Sequence, residues 1–287
     1  MHRIQTVGIY SKPGIERGNV LVPELLKWLE GRSITARYDD VTAAYAGRGD
    51  GLAREVVAKD CHFVIVLGGD GTLLSAATSI GNRNIPLFAV NLGSMGFLTA
   101  ITVEEMFPEL DRALRGEHRV GRRRLLQCSL MRGDRQVTSY LALNDMVVSK
   151  APTAPMIDLE THVDNHFVCT YKADGLIICT PTGSTAYSLS AGGPIIFPTV
   201  AAFAITPICP HMLTNRPVIV PEAAVIQVIS HADDEAAYLN ADGKMGEHLK
   251  RGDRLVLRRS DHTLNLIRPP RLLYFDVLRQ KLKWGER

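Results

Sequence analysis

Cysteine is scarce in this chain of 287 residues: there are five, scattered, with no C-x-x-C pair. That excludes a disulfide framework and a cysteine zinc site, and it points to reduced thiols in a cytosolic protein. Aromatic residues make up only 6%, with two Trp, too few for the stacking platforms that grip single-stranded nucleic acid. A charge excess is missing as well. Lys and Arg total 33 against 30 Asp and Glu, a net +3, whereas a dedicated nucleic-acid binder carries a strongly basic domain. The opening segment MHRIQTVGIYSK lacks the apolar run of a signal peptide. What is present is ordinary for a globular protein: 46% hydrophobic and 22% charged residues, which excludes disorder. The length gives a prior of about two domains.

One local absence is larger. Residues 175–215 contain no Asp, Glu, Lys or Arg. A membrane span needs about 20 predominantly apolar residues. This stretch is broken by Pro181, Pro194, Pro198, Pro207 and Pro210 and by Gly183, Gly192 and Gly193, so no membrane helix is expected.

The first part of the chain alternates strand and helix patterns. TVGIY (6–10) reads as a strand. Residues 20–30 place Leu21, Leu25, Trp28 and Leu29 on one helical face. CHFVIVL (61–67) is the apolar run of a central parallel strand covered on both faces. A helix over 72–80, a strand over 85–91 and a helix over 103–116 follow. After about residue 124 the rhythm changes to short β-prone runs, with Asp164–Asn165 as a hairpin turn. Residues 271–285 return to helical spacing through Leu272, Phe275, Leu278 and Leu282. The expected fold is an α/β N-terminal domain with a parallel sheet (1–124) and an all-β sandwich (125–267). The last helix (268–287) is expected to pack back on the first domain.

Several standard motifs are absent. There is no complete G-x-G-x-x-G, since Leu52 stands where the last glycine belongs. There is no P-loop, since Met245 follows Gly243-Lys244. Leu92 breaks a G-x-S-x-G at 92–96. Three other segments carry chemistry. GGDGT (68–72) joins a buried strand to a helix, whose first N–H groups form a ready phosphate site. Gly68, Gly69 and Gly71 permit unusual backbone conformations and let a ligand approach the main chain. Asp70 beside phosphates is unexpected unless it binds a metal or accepts a proton; as a helix N-cap it would be a plain turn residue. TPTGSTAYSLSAGGP (180–194) offers neutral hydroxyls suited to a base or sugar edge, or else a polar loop in which Ser184 caps a short helix. Asn144-Asp145 can serve an adenine edge and ribose hydroxyls, or simply end a strand.

Together these segments resemble the NAD kinase family of bacterial type. GGDGT, NLGSMGFL (91–98), LND (143–145) and DGLIICTPTGSTAYSLSAGGPI (174–195) stand in that family's order and spacing. The likeness continues through CPHMLTNRPVIV (209–220) and ADGK (241–244) to the last helix. It implies a kinase that moves the γ-phosphoryl of ATP to the adenosine 2′-hydroxyl of NAD, with Mg²⁺ or another divalent cation, in a cytoplasmic homodimer or homotetramer. By resemblance Asp70 approaches the adenosine 2′-hydroxyl, where it either takes the proton as general base or orients the hydroxyl, and Gly68, Gly69, Gly71, Thr72 and His211 face phosphate. Asn91, Phe97, Asn144, Asp145, Asp174, Thr180, Thr185, Ala186, Tyr187 and Ser190 line the NAD site. Asp145 stands where the family more often has Glu, and Met95 where it often has Leu. No dedicated metal cage is visible, and no nucleic-acid or membrane partner is expected. GGDGT alone also fits a diacylglycerol or sphingosine kinase, and a retained pocket alone would fit a non-catalytic NAD sensor. The basic run HRVGRRR (118–124) reads either as a solvated connection or as a patch that steers anionic substrates.

Overall fold

The structure is a computed structural model that describes residues 4–81, 83–93, 96–271 and 273–284. Ser94 and Met95 of the 91–98 motif and Leu272 of the last helical pattern lie outside the described residues. The chain divides into two compact units, one formed by 1–122 with 264–287 and the other by 123–263.

In the first unit, β1 (Thr6–Ser11) is followed by α1 (Gly18–Glu30), β2 (Thr35–Tyr38), α2 (Asp40–Tyr45) and α3 (Arg54–Val57). Then come β3 (Phe63–Leu67), α4 (Asp70–Ile80), β4 (Leu87–Val90) and α5 (Met106–Leu114). The strands pair in parallel in the order β2-β1-β3-β4. Every residue of β3 is buried, as a central strand covered on both faces requires. Leu21, Leu25 and Leu29 of α1 join Ile9, Ile65 and Phe88 in one core. Pro108 sits in the first turn of α5, where its missing N–H costs nothing. Asp39 caps α2 by accepting from the Thr42 N–H at 2.9 Å.

The order β2-β1-β3-β4 reverses direction between β1 and β3. Ligands of open parallel sheets bind beyond the strand C-termini at such a switch point. The GGDGT segment leaves β3 there, and the Lys12 N–H at the end of β1 donates to the Leu67 carbonyl at 2.8 Å.

In the second unit β5 (Arg119–Arg132), β6 (Arg135–Ala142), β7 (Asp145–Lys150), β8 (Ile157–Val163), β9 (His166–Ala173) and β10 (Gly175–Cys179) come first. A 3₁₀ turn (Gly183–Thr185) and α6 (Tyr187–Ser190) follow. They lead into β11 (Ala202–Ile208), β12 (Val218–Pro221), β13 (Ile226–Ser230), β14 (Ala237–Ala241), β15 (Lys244–Leu249) and β16 (Arg254–Arg268). One antiparallel sheet has the order β12-β11-β10-β7-β14-β15. The other includes β16-β13-β8-β9, with β5 pairing β16 and β6. Side chains from both sheets, including Leu130, Val148, Leu159, Ile178, Phe203 and Leu257, form a single core, the sandwich expected from the β-prone runs. Asp164 and Asn165 make the β8–β9 hairpin turn with φ of 49° and 65°. The last residues of β16 pair in parallel with β4, and α7 (Tyr274–Leu282) closes the first unit.

The basic run 118–124 enters a strand, with Arg119 and Arg122 still exposed. Arg119 onward belongs to β5, Arg123 is buried, and Arg124 is ion-paired with Glu222. Alternation along the strand turns Arg123 inward. Among the described residues no helix is long and apolar enough to cross a membrane.

Candidate active site

In the first unit the expected phosphate residues cluster around the start of α4. Gly69 is the N-cap, so Asp70 is the first helical residue and not the cap. A carboxylate in this first turn is favoured by the helix dipole. The Gly68 N–H donates to the Val90 carbonyl, while the N–H groups of Gly69, Asp70 and Gly71 bond no other described backbone carbonyl. None of Gly68, Gly69 and Gly71 adopts a positive φ, so conformational freedom is not what these positions use. Space is. A Cβ on Gly68 would lie 2.3 Å from the Thr72 hydroxyl, whereas Gly69 and Gly71 face no atom within 4 Å. Two adjacent stretches of main chain are thus open to a ligand.

The Asp70 carboxylate reaches across to the loop after β4. Oδ2 accepts from the Phe97 N–H at 2.9 Å. Oδ1 accepts from the Leu98 N–H at 3.2 Å, the Thr99 N–H at 3.0 Å and the Thr99 hydroxyl at 2.9 Å. A carboxylate offers about four acceptor sites. Here three donors crowd Oδ1, and Oδ2 carries one. Asn91 braces the same loop: its Nδ2 donates to the Thr99 carbonyl and hydroxyl at 3.2 Å, and its Oδ1 accepts from the Gly93 N–H at 2.7 Å. Asn91, Phe97 and the GGDGT residues therefore form one constellation. Gly96, which the motif reading passes over, is essential to it, because a Cβ there would fall 2.1 Å from Asp70 Oδ1.

In the second unit Asn144, Asp145 and Thr180 come together. The Thr180 N–H donates to the Asn144 carbonyl at 2.9 Å, and its hydroxyl donates to the Leu143 carbonyl at 2.6 Å. Gly183 presses on the same carbonyl: a Cβ would lie 2.1 Å from Asn144 O. Ser184 does not cap a helix. Its hydroxyl donates to the Pro181 carbonyl at 2.7 Å and accepts from the Ile196 N–H at 2.9 Å, stapling the segment into a compact loop. Thr185 bonds the Thr182 carbonyl at 3.2 Å, and Tyr187 is half exposed. Thr185 ends the 3₁₀ turn, Ala186 follows it, and Tyr187 and Ser190 lie in α6.

Asp145 is buried, and burial together with the charge of Asp242 pushes its carboxyl up to about 7. Asp242 was not singled out by the motif reading. Asp174 and His211 stand apart from this group. Asp174 precedes β10 and Thr180 follows it, so the two occupy opposite ends of that strand. The Lys150 ammonium lies 3.9 Å from the Asp174 carboxylate, and the His211 N–H donates to the Lys172 carbonyl at 2.8 Å.

Two family descriptions cover most of the chain: "ATP-NAD kinase N-terminal domain" matches residues 19–118, and "ATP-NAD kinase C-terminal domain" matches 143–269. The chain belongs to the NAD kinase family. Members of this family are phosphotransferases with an alcohol group as acceptor. A NAD kinase of Solibacter usitatus is 59% identical over 284 residues, covering 99% of each chain. One of Koribacter versatilis is 45% identical over 285 residues, covering 99% of this chain and all of the other. Among solved structures, yeast NADH kinase complexed with NADH superposes with a TM-score of 0.91 at 24% identity, covering all of this chain and 90% of that one. An Archaeoglobus fulgidus NAD kinase in complex with ATP gives 0.78 at 26% identity, covering 97% and 99%. The NAD kinase family matches therefore extend through both constellations.

Proposed function

We propose that the protein transfers the γ-phosphoryl group of ATP to the adenosine 2′-hydroxyl of NAD, forming NADP. The observation that carries this reading is the Asp70 carboxylate. It stands at the head of α4, beside the open backbone of Gly69 and Gly71, with Oδ2 holding one donor where Oδ1 holds three. Oδ2 accepts the proton as the hydroxyl oxygen attacks, and a positioned base of this kind contributes about 10²–10⁴-fold. The N–H groups of Gly69, Asp70 and Gly71 bind phosphate oxygens, with Gly68 and Thr72 facing the same phosphates. Asn91 shapes the 91–99 loop, and the Phe97 N–H aligns Asp70. Asn144 and Asp145 hold the adenosine portion of NAD, and Thr180, Thr185, Ala186, Tyr187 and Ser190 line its dinucleotide site with uncharged groups. Asp174 and His211 serve the nicotinamide side and the phosphates respectively.

A divalent cation such as Mg²⁺ accompanies the ATP. Among the described residues no group of three or more His, Cys, Asp or Glu gathers for a metal. The cation is held mainly by phosphates and water. When bound, it neutralises charge on the phosphoryl oxygens. The five cysteines are free thiols, which supports a cytoplasmic setting. Phe167 and Val168 are exposed on the edge strand β9, which supports assembly as a homodimer or homotetramer.

Purified protein incubated with Mg²⁺ and each pairing of ATP or polyphosphate with NAD, NADH, diacylglycerol or sphingosine tests the reading. NADP formation from ATP and NAD supports it. A phosphorylated lipid without NADP would establish the lipid-kinase alternative, and NAD binding without turnover would establish the sensor.

A further inference from the structure

Asp242 begins the turn from β14 to β15 with a φ of 49°, followed by Gly243 at 73°. Its carboxylate folds back onto the residues between β6 and β7. Oδ2 accepts from the Leu143 N–H at 2.8 Å; Oδ1 accepts from the Asn144 N–H at 2.7 Å and the Asp145 N–H at 3.2 Å. The Asp242 N–H returns a bond to the Asp145 carbonyl at 3.0 Å. Four hydrogen bonds thus fix the backbone that presents Asn144 and Asp145, from a residue nearly a hundred positions away.

Three N–H donors satisfy an ionised carboxylate. A second ionised carboxylate buried beside it costs heavily, because burial takes it out of water and the neighbouring charge repels it. Burial raises Asp242 as well, but its three backbone donors and Lys244 oppose that rise. Asp145 has no such compensation, and it is pushed up to about 7 by burial and by the Asp242 charge. The other titratable group facing it is Cys179, directly opposite on β10, which burial pushes up to about 11 and keeps neutral. The negative charge of this buried pair therefore resides on Asp242.

We propose that Asp242 is a positioning residue that sets the Leu143–Asp145 backbone and, as the ionised partner, leaves Asp145 a protonated carboxyl that donates a hydrogen bond to the nucleotide. This rests on the proposed role of Asp145 in binding NAD. A protonated carboxyl offers one donor and one acceptor to adjacent ribose hydroxyls and does not repel the phosphates.

The test follows KM for NAD and kcat separately from pH 6 to pH 9 for the wild type, Asp242→Asn and Asp145→Asn. Wild-type KM should climb above about pH 7, roughly tenfold per pH unit at the alkaline end, as Asp145 loses its proton. Asp145→Asn should give a flat KM, because its amide does not titrate. Asp242→Asn should raise KM at pH 7 roughly tenfold, leave kcat within about twofold, and move the climb to lower pH. A flat wild-type KM overturns the proposal, and so does an Asp242→Asn profile that matches the wild type. If circular dichroism shows that Asp242→Asn does not fold, the wild type against Asp145→Asn decides alone. A wild type that forms no NADP refutes the functional reading instead. Calorimetric titration of NAD over the same pH range then decides the Asp242 proposal by the same criteria.

Discussion

The Asp70 carboxylate accepts a hydrogen bond from the Thr99 hydroxyl at 2.9 Å, on the same oxygen that accepts the Leu98 and Thr99 N–H groups. The helix start and the loop after β4 are therefore locked together by the residue assigned to chemistry. Thr99 is buried. Thr99→Val keeps the shape but removes the donor to Asp70 and the acceptor for Asn91 Nδ2. It should lower the stability of this contact by about 1 kcal/mol and reduce kcat by several-fold while the protein still folds. Thermal melting and steady-state kinetics on one preparation check both effects. A kcat equal to wild type would separate the Thr99 bond from the reaction.

Gly96 tests the same lock sterically. A Cβ there would stand 2.1 Å from Asp70 Oδ1 and 2.5 Å from Thr99 Oγ1. Gly96→Ala must push the loop or the carboxylate aside, at a cost of about 1–3 kcal/mol. NADP formation should fall at least tenfold, while circular dichroism keeps the wild-type secondary structure. Full activity would show that the loop and Asp70 need not be in contact.

Gly183→Ala probes the second unit in the same manner. Its Cβ would meet the Asn144 carbonyl at 2.1 Å and the Asn144 Cα at 2.7 Å. Displacing Asn144 should raise KM for NAD more than it lowers kcat. Kinetics at saturating ATP with varied NAD distinguish the two effects. A change confined to kcat would contradict the assignment of Asn144 to NAD binding.

The raised carboxyl of Asp145 also predicts how stability varies with pH. Its folded-state value of about 7 lies above the unfolded value of about 3.9. Between these two values the folded state holds the extra proton, so stability falls as pH rises from about 4 to 7, then levels off. Asp145→Asn removes that loss. It should therefore melt at a higher temperature than wild type at pH 8, by the equivalent of about 2–4 kcal/mol. The advantage should shrink as pH falls toward 5, and scanning calorimetry across that range measures it. A pH-independent difference would show that Asp145 keeps its charge at neutral pH.

The all-apolar run at 61–67 and the hairpin pair Asp164–Asn165 were legible because burial on both faces and positive φ leave direct marks on residue choice. Residues 35–57 were not. β2, α2 and α3 are only 4–6 residues long, too short to display a period. The strand within 118–124 is hard to read from sequence because charge density hides the alternation, which the burial of Arg123 reveals. The uncharged stretch 175–215 gains a second explanation. All five residues of β10 are buried, Ile177 and Cys179 pack with Ile196 and Ala204 on one face, and Leu176 and Ile178 face the sandwich core. β11 is buried nearly throughout. Much of the missing charge is thus the signature of central strands, and the part suited to nucleotide recognition narrows to the loop from Thr180 to Ser190. In the candidate site, the sequence motifs single out Asp70, Asn144 and Thr180. Gly96 and Asp242 escaped because their importance lies in contacts to residues distant in sequence. An Asp-Gly pair between β runs signals a turn, but nothing local says what its carboxylate holds.

The most direct test of the account compares NADP formation by the wild type and by Asp70→Asn, both supplied with ATP, NAD and Mg²⁺ and read with an NADP-specific dehydrogenase. The wild type should accumulate NADP. Asp70→Asn should lose about 10²-fold or more in kcat, with KM for NAD changed by less than about threefold, because the base acts in the transition state more than in binding. Equal rates of NADP formation by the two proteins, or none by the wild type, would contradict it.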